Sequence, residues 1–290
     1  MPQAVDRPAP GRAPSGIDAR QARRRFERAA ATYARASRLE AEIGARMLER
    51  LDYVKLAPQR VLDAGCGPAR ETRALAKRYP AAQIIALDFS LRMLREPTGL
   101  FRRLWRRNEK QSLCADFQRL PLAPSSTGLI WSNMALHWAA DPLAALQEFH
   151  RVLAVGGLLM FSTLGPDTLA ELRAAAGESR VHRFADMHDV GDMLVAAGFA
   201  DPVMDMERLT LLYTDGDALL GDLRASGQSC ARADRSGGLA GTRFFAAMRE
   251  RLAAQRRGGK LAIGYEVVYG HAWKAAPRRT PDGRSVVRFS

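Results

Sequence analysis

A glycine-rich turn after a short apolar segment limits the fold of this 290-residue chain more than any other feature. Residues 60–64 (RVLDA) have the length and composition of a buried strand, and residues 65–68 (GCGP) lead into an amphipathic segment that ends before Pro80. A second apolar run, residues 83–87 (QIIAL), ends at Asp88. This order of strand, turn, helix and strand predicts a βαβ unit in a parallel sheet.

The same alternation continues along the chain. It predicts five β/α units and two late strands, and therefore a mostly parallel, doubly wound α/β sheet with a Rossmann-like core. Ligands of such sheets bind at the carboxyl ends of the strands. The predicted strands are 60–64, 83–87, 112–115, 128–132, 158–163, 203–213 and 261–273, and the predicted helices are 19–51, 71–79, 142–153, 167–176, 189–197, 215–226 and one that Ser90 caps and Pro97 interrupts.

Composition narrows the class of protein. A hydrophobic fraction of 47% supports a sizeable core, and no apolar run approaches the roughly 20 residues that span a bilayer. Residues 1–18 are rich in Pro, Ala and Arg without the apolar region of a secretory signal, so we expect a disordered extension. The three cysteines have no CxxC spacing, which argues against a disulfide framework or structural zinc and favours the reducing cytoplasm.

The net charge of +13 indicates which binding partners the protein could attract, but it does not indicate the fold. Arginines cluster at 20–28 and 102–107, and residues 276–290 form a basic tail. These clusters suit an acidic partner, although arginine-rich faces that are merely solvated explain them equally well. No motif specific for nucleic acid is present in the sequence.

The turn at 63–68 (DAGCGP) and Asp88 suggest the ligand. Glycines allow the backbone to approach a ligand closely, but Arg70 occupies the last glycine position of GxGxxG, which weakens a dinucleotide interpretation. Asp88 lies 21 residues after Gly67, where a carboxylate can accept hydrogen bonds from both hydroxyls of a ribose. An adenosyl group fits this arrangement.

Five ordered motifs carry a more specific likeness: DAGCGP, ALDFS, CADFQRLPL, WSNMALHW and HRVLAVGGLLMFST. Together they resemble class I S-adenosylmethionine-dependent methyltransferases from residue 60 to residue 163. That resemblance implies S-adenosylmethionine as cofactor, no metal, a late antiparallel strand in a seven-stranded sheet and an N-terminal helical cap. The cofactor-binding residues it implies are Gly65 and Gly67 beside the methionine part, Asp63 for its ammonium group, Asp88 for the ribose, Asp116 for the adenine amine, and Asn133.

The chain also resembles one branch of these enzymes, the malonyl-acyl-carrier-protein O-methyltransferases of biotin biosynthesis (the BioC family). RRRFERAAATYARAS, TLGPDTLAELR, VHRFADMHDVGDMLVAAGFADPVMDMERL and YEVVYGHAWK carry this likeness, which spans nearly all of 23–274. It implies a methyltransferase domain over 19–275, with a helical cap at 19–57, a cofactor core at 58–165 and substrate-side elements at 166–275. No Asn-Pro-Pro-aromatic motif follows the fourth strand, so an exocyclic amine is not the expected acceptor.

An acceptor carboxylate is already ionised near pH 7, so its methylation needs no general base. Positioning and exclusion of water suffice. The candidate catalytic residues are Tyr33 as an aromatic lid, Arg183 for the malonyl group and, ranked below it, His137. A Tyr at helical spacing is more often core, and a His beside a loop is more often only hydrogen-bonded.

The basic surface suits acyl carrier protein, which is acidic, and the candidate contacts are Arg102, Arg103, Arg106 and Arg107. Three alternatives stay open. The acceptor could be another small carboxylate, phenol or quinone, because the fold does not fix it. The chain could instead be a BioC-like assembly factor that modifies a respiratory-complex protein, or a cofactor-binding module without catalysis; retention of Asp63 and Asp88 argues against the last.

Overall fold

The computed structural model describes residues 16–95, 111–235 and 240–276. A seven-stranded sheet in the order β3-β2-β1-β4-β5-β7-β6 forms its centre. The first five strands pair in parallel, and the long β7 runs antiparallel to both β5 and β6. The strands are β1 Arg60–Ala64, β2 Gln83–Asp88, β3 Gln111–Cys114, β4 Thr127–Ser132, β5 Leu153–Leu164, β6 Ala200–Tyr213 and β7 Leu261–Trp273. The predicted class, a Rossmann-like α/β fold with a late antiparallel strand, is confirmed.

The helices cover both faces of the sheet and the carboxyl ends of its strands. They are α1 Ala19–Ala36, α2 Arg38–Arg50, α3 Arg70–Arg78, α4 Leu91–Arg95, α5 Pro142–Val152, α6 Ala170–Ala176, α7 Met187–Ala196, α8 Gly216–Ala225 and α9 Thr242–Ala254. Asp141 and Asp215 cap α5 and α8 by accepting hydrogen bonds from Ala144 N and Ala218 N at 3.1 and 2.8 Å. Across the described ranges, no helix combines the length and apolar character needed to cross a membrane.

The core consists of two large apolar clusters on opposite faces of the sheet. One joins α2, α6, α8 and α9 to the strands, and the other joins α5 and α7 to them. A third, smaller cluster lies under α1, where Phe26 and Trp138 pack edge to face with ring centroids 4.8 Å apart. Helix α1 therefore rests on a small apolar patch at the carboxyl edge of the sheet.

The single predicted helix over 19–51 is wrong, because the chain breaks at Ser37 between α1 and α2. The guanidinium of Arg70 donates to the carbonyl oxygens of Ala34 and Ser37 and to the Ser37 hydroxyl, each at 3.1 Å. These bonds satisfy carbonyls that a helix end leaves without partners. The break thus depends on a residue more than thirty positions away.

Further differences from the prediction concern the start of a strand, a helix and the N-terminal segment. Strand β5 begins at Leu153 rather than at 158, and the glycines at 156 and 157 form an irregularity within it, where the register with β4 shifts. Helix α9 was not predicted. Gly16–Asp18, predicted to belong to a disordered extension, are part of the fold: Ile17 is buried and Asp18 N donates to Ala231 O at 2.8 Å. Residues 1–15, 96–110 and 277–290, including the arginines at 102–107, lie outside the described ranges.

Candidate cofactor and acceptor sites

The glycine turn adopts left-handed backbone angles that favour glycine. Gly65 has φ +82° and Gly67 has φ +51°. A Cβ on Gly65 would overlap the Cβ of Ala135, and one on Gly67 would lie 3.5 Å from Cε1 of Tyr33. The N–H groups of Gly65 and Cys66 both donate to the carbonyl oxygen of Leu87, at 2.8 and 2.9 Å. These bonds tie the turn to the end of β2.

Asp88 fixes the other side of the turn. Its Oδ2 accepts from Gly67 N at 2.9 Å, and its Oδ1 accepts from Ser90 N at 2.7 Å. The carboxyl is buried, and this burial raises its pKa to about 6, with the two backbone donors acting in the opposite direction. Each carboxylate oxygen has a second lone pair, so Asp88 can accept further hydrogen bonds from a bound ligand.

Five of the six predicted cofactor-binding residues line one pocket at the carboxyl edge of the sheet. Tyr33 borders the same pocket, and aromatic side chains of Phe26, Phe89, Phe117 and Trp138 form much of its wall. The five residues are Gly65, Gly67, Asp88, Asp116 and Asn133. Residues far apart in the sequence thus meet where the sheet topology predicts a ligand.

Asp63, the sixth predicted residue, does not line this pocket. Its carboxylate is buried and accepts a hydrogen bond from the Thr72 hydroxyl at 2.5 Å, which directs it toward α3. In this structure Asp63 supports the turn from beneath, and its predicted contact with an ammonium group stays a prediction.

Asp116 and Asn133 approach the pocket from opposite sides. Asp116 is exposed and accepts hydrogen bonds from the backbone and side-chain amides of Gln118. Asn133 donates from Nδ2 to the Glu40 carbonyl oxygen at 2.8 Å and accepts from the Ser162 hydroxyl at 2.8 Å. Asn133 therefore joins β4 and β5 to the start of α2.

Tyr33 is a half-buried residue of α1 that faces the glycine turn. Desolvation raises the pKa of its phenol well above the usual value, and the nearby carboxylates of Glu40, Glu71 and Asp88 raise it further. The phenol consequently stays protonated near pH 7 and can donate a hydrogen bond.

His137 lies in a second, smaller cavity that Trp138 separates from the first pocket, since Trp138 lines both. Its ring contacts Trp138 and Phe184 at centroid distances of 5.6 and 5.7 Å. Burial, together with the neighbouring His182, lowers the pKa of His137 to about 3, so the ring is neutral near pH 7. His137 can exchange hydrogen bonds there but carries no charge.

Arg183 does not reach either cavity. It is exposed, and it adds a small electrostatic contribution to the hydrogen bond from Arg232 that lowers the pKa of the Asp234 carboxyl. Val181, His182 and Phe184 line the second cavity, whereas Arg183 between them does not and is exposed to solvent. Arg180 is the cation that lines this cavity, half-buried and with its guanidinium carbon 4.9 Å from the ring centroid of Phe244.

Sequence reasoning missed both Arg180 and His182. Burial lowers the pKa of His182 to about 4, and its Nε2 accepts from Ala231 N at 2.6 Å, so this imidazole is neutral. In the part of the chain that the structure describes, no group of three His, Cys, Asp or Glu side chains is arranged to hold a metal ion.

Comparison with known proteins places this geometry in a family. The profile of a family described as "Methyltransferase domain" matches residues 62–161, from β1 to β5. A Malonyl-[acyl-carrier protein] O-methyltransferase from Gallionella capsiferriformans is 49% identical over 281 residues, which cover 94% of this chain and 97% of that protein. The protein of the same name from Methylovorus sp. is 50% identical, with 94% of this chain and 95% of that protein covered.

Among solved structures, the YcgJ protein of Bacillus subtilis matches with a TM-score of 0.58 at 16% identity, covering 81% of this chain and 99% of that one. This likeness concerns the fold alone. The two relatives named above are far more similar in sequence, at 49% and 50% identity over nearly the whole of each chain. The chain belongs to the malonyl-[acyl-carrier protein] O-methyltransferase family.

Proposed function

We propose that this protein transfers a methyl group from S-adenosylmethionine to the free carboxylate of a malonyl thioester, malonyl-acyl-carrier protein, as an early step of biotin biosynthesis. The observation that carries the proposal is identity of 49% and 50% to two proteins of that name over nearly the whole of each chain. Partial matches restricted to the cofactor core would not single out an acceptor.

The pocket residues fit an adenosyl cofactor. Asp88 offers buried carboxylate lone pairs to two ribose hydroxyls, and Gly65 and Gly67 leave room where a Cβ would stand. Asp116 lies at the exposed side, where it can accept from an exocyclic amine, and Phe89 and Phe117 supply flat apolar surface. When bound, S-adenosylmethionine would supply an electrophilic methyl group on a positively charged sulfur.

The acceptor side needs no general base. A malonyl carboxylate is ionised near pH 7, and the neutral His137 therefore has no proton to remove. We assign His137 and the protonated Tyr33 to positioning by hydrogen bonds at either side of Trp138. Closure by the aromatic side chains would exclude water, which strengthens the attraction between an anionic acceptor and a cationic methyl donor.

Arg180 takes the role that the sequence suggested for Arg183. It is the arginine among the described residues that lines the second cavity. A half-buried guanidinium can bind a carboxylate through paired N–H donors, and it would draw the malonyl group to the cavity next to the cofactor pocket.

The separation of a cofactor pocket from an acceptor cavity suggests a role for each part of the chain. Residues 58–165 would hold the cofactor, while the cap at 19–57 and residues 166–275 would receive the acceptor. Arg20, Arg23, Arg24 and Arg28 are exposed on α1 and suit the acidic face of a carrier protein, where they would speed encounter. The cysteine pattern favours a cytoplasmic location.

Mass spectrometry tests the proposal. Purified enzyme is incubated with S-adenosylmethionine and malonyl-acyl-carrier protein, with the malonyl-free carrier and an Asp88→Ala enzyme as controls. The expected result is a gain of one methyl mass on the malonyl carrier only. An unchanged carrier, together with normal binding of the cofactor product, would remove malonyl-acyl-carrier protein as the acceptor.

A further inference from the structure

A cavity of about 440 Å³ lies where the start of α2, the end of β6 and helix α8 meet. Its size falls within the range of small-molecule sites, about 300–1,000 Å³. Neither the cofactor pocket nor the cavity of His137 accounts for this space. We call it the α8 cavity.

The polar groups that line the α8 cavity are mainly hydrogen-bond acceptors. The Tyr213 hydroxyl donates to Asp222 Oδ2 at 2.9 Å, and the Gln228 side-chain amide donates to the Glu40 carboxyl, which is 5% exposed. All four of these side chains line the cavity, and Leu39 adds apolar surface. Beside Glu40 and Asp222, these acceptors favour neutral N–H and O–H donor groups of a ligand and disfavour an anionic group.

The α8 cavity adjoins the cavity of His137. Leu223 and Gln228 line both of them. Trp138 in turn borders both the His137 cavity and the cofactor pocket. The α8 cavity therefore adjoins the His137 cavity, and Glu40 also links its wall to the cofactor pocket, because the Glu40 carbonyl oxygen accepts from Asn133 Nδ2 at 2.8 Å.

The α8 cavity and the His137 cavity each have an arginine in their lining. Arg38, an exposed residue, lines the α8 cavity and so marks its solvent side. Arg180 lines the His137 cavity. A ligand with an anion at each end and donor groups between them would match this order of charges.

We propose that the α8 cavity binds the phosphopantetheine arm of the acyl carrier, with the phosphate toward Arg38 and the amide groups beside Glu40 and Asp222. The inference rests on the proposed function and extends it to the thioester arm of the substrate. The arm carries two secondary amides and one hydroxyl in its middle, a phosphate at one end and the malonyl carboxylate at the other. The chemistry of the arm thus matches the lining residues. The carboxyl groups of Glu40 and Asp222 would repel the malonyl carboxylate, which favours its binding at Arg180 instead.

Gly221 provides a variant that fills the cavity without disturbing the fold. It lies in α8 and lines the α8 cavity, and a Cβ built on it meets no atom within 4 Å. Gly221→Phe would therefore occupy the space while removing a residue that weakens helices. Gly191→Phe in α7 is the matched control, since a Cβ there meets only Met204 Cγ at 4.0 Å and Gly191 lies away from all three spaces.

The experiment measures how tightly each enzyme binds the carrier with and without its arm. Fluorescence anisotropy compares holo-carrier, which bears phosphopantetheine but no malonyl group, with apo-carrier. For the wild type and for Gly191→Phe, we expect the holo-carrier to bind at least about tenfold more tightly, and for Gly221→Phe we expect this difference to vanish. Thermal unfolding confirms that both variants fold.

A Gly221→Phe enzyme that kept the full preference for holo-carrier would overturn the inference, as would a wild type without any such preference. A second readout separates it from the proposed function. The KM for malonyl-acyl-carrier protein should rise at least about tenfold in Gly221→Phe, while the KM for a malonyl methyl thioester, which has no arm, should stay unchanged. A wild type that methylates neither substrate but prefers holo-carrier would contradict the proposed reaction and leave the arm site standing.

Discussion

The titration of Asp88 links the cofactor pocket to pH. Its buried carboxyl accepts from Gly67 N and Ser90 N, and burial raises its pKa from 3.8 to about 6. Only the ionised carboxylate can accept from two ribose hydroxyls while it also holds both backbone donors. Acidification should therefore weaken the binding of S-adenosylhomocysteine, the product form of the cofactor.

The size of the effect follows from the pKa. With a pKa of about 6, roughly ten in eleven molecules have an ionised Asp88 at pH 7 and roughly one in eleven at pH 5, so affinity should fall about tenfold. The contribution of Asp88 to the stability of the ligand-free protein changes with pH in the opposite direction. Because the folded pKa is raised, the native state holds its proton more tightly than the unfolded state, and unfolding free energy contributed by Asp88 falls by about 3 kcal/mol as pH rises from about 4 to 6.

Isothermal titration calorimetry with S-adenosylhomocysteine at pH 5, 6 and 7 measures the affinity change. Asp88→Asn should bind weakly and show little dependence on pH, because its amide accepts from only one of the two N–H donors. Glu40→Gln serves as control, since burial raises the pKa of Glu40 to about 7 and its titration overlaps the same interval. Full retention of the tenfold change in Asp88→Asn would refute the assignment to Asp88.

Three further predictions concern the turn and the cap, and chemical denaturation checks each of them. Gly65→Ala should lower the free energy of unfolding by about 2–5 kcal/mol, because it combines a left-handed backbone with overlap against Ala135; a loss below 1 kcal/mol would contradict the packing. Ala69→Gly should raise it by up to about 1 kcal/mol, since Ala69 has φ +62°, and a clear loss would show that this angle carries no strain. Arg70→Met should cost about 1–3 kcal/mol and speed hydrogen exchange in α1 through loss of three hydrogen bonds, whereas the exposed Arg35→Met should change neither quantity appreciably.

The sheet could be predicted from the sequence because its signals are local. Strands β1, β2 and β4 are short and mostly buried, and Gly65, Asp88 and Asn133 lie at their carboxyl ends, so these residues were expected to meet and do meet. Helix α9 also had a local signal, since Met248 and Leu252 are buried at a spacing of four, but the prediction passed over it.

Tertiary contacts decided what the sequence could not. The break at Ser37 depends on Arg70, which in the sequence was only the residue that failed a glycine motif. The choice between Arg180 and Arg183 depends on how a short helical turn and the irregular segment after it lie against the cavity, and no sequence periodicity gives that placement. Glu40 follows a buried leucine in an apolar stripe, and its contact with Gln228 joins positions 188 residues apart.

The central claim is that the methyl group goes to an oxygen of the malonyl carboxylate. Its most direct test uses S-adenosylmethionine with a ¹³C-labelled methyl group and malonyl-acyl-carrier protein, followed by nuclear magnetic resonance of the product before and after mild base. A methyl ester should show coupling of the labelled methyl group to the carbonyl carbon of the former free carboxylate, and base should release the label as methanol. A label that resists base and couples to the central malonyl carbon would contradict O-methylation and require a general base stronger than His137, whose pKa burial lowers to about 3.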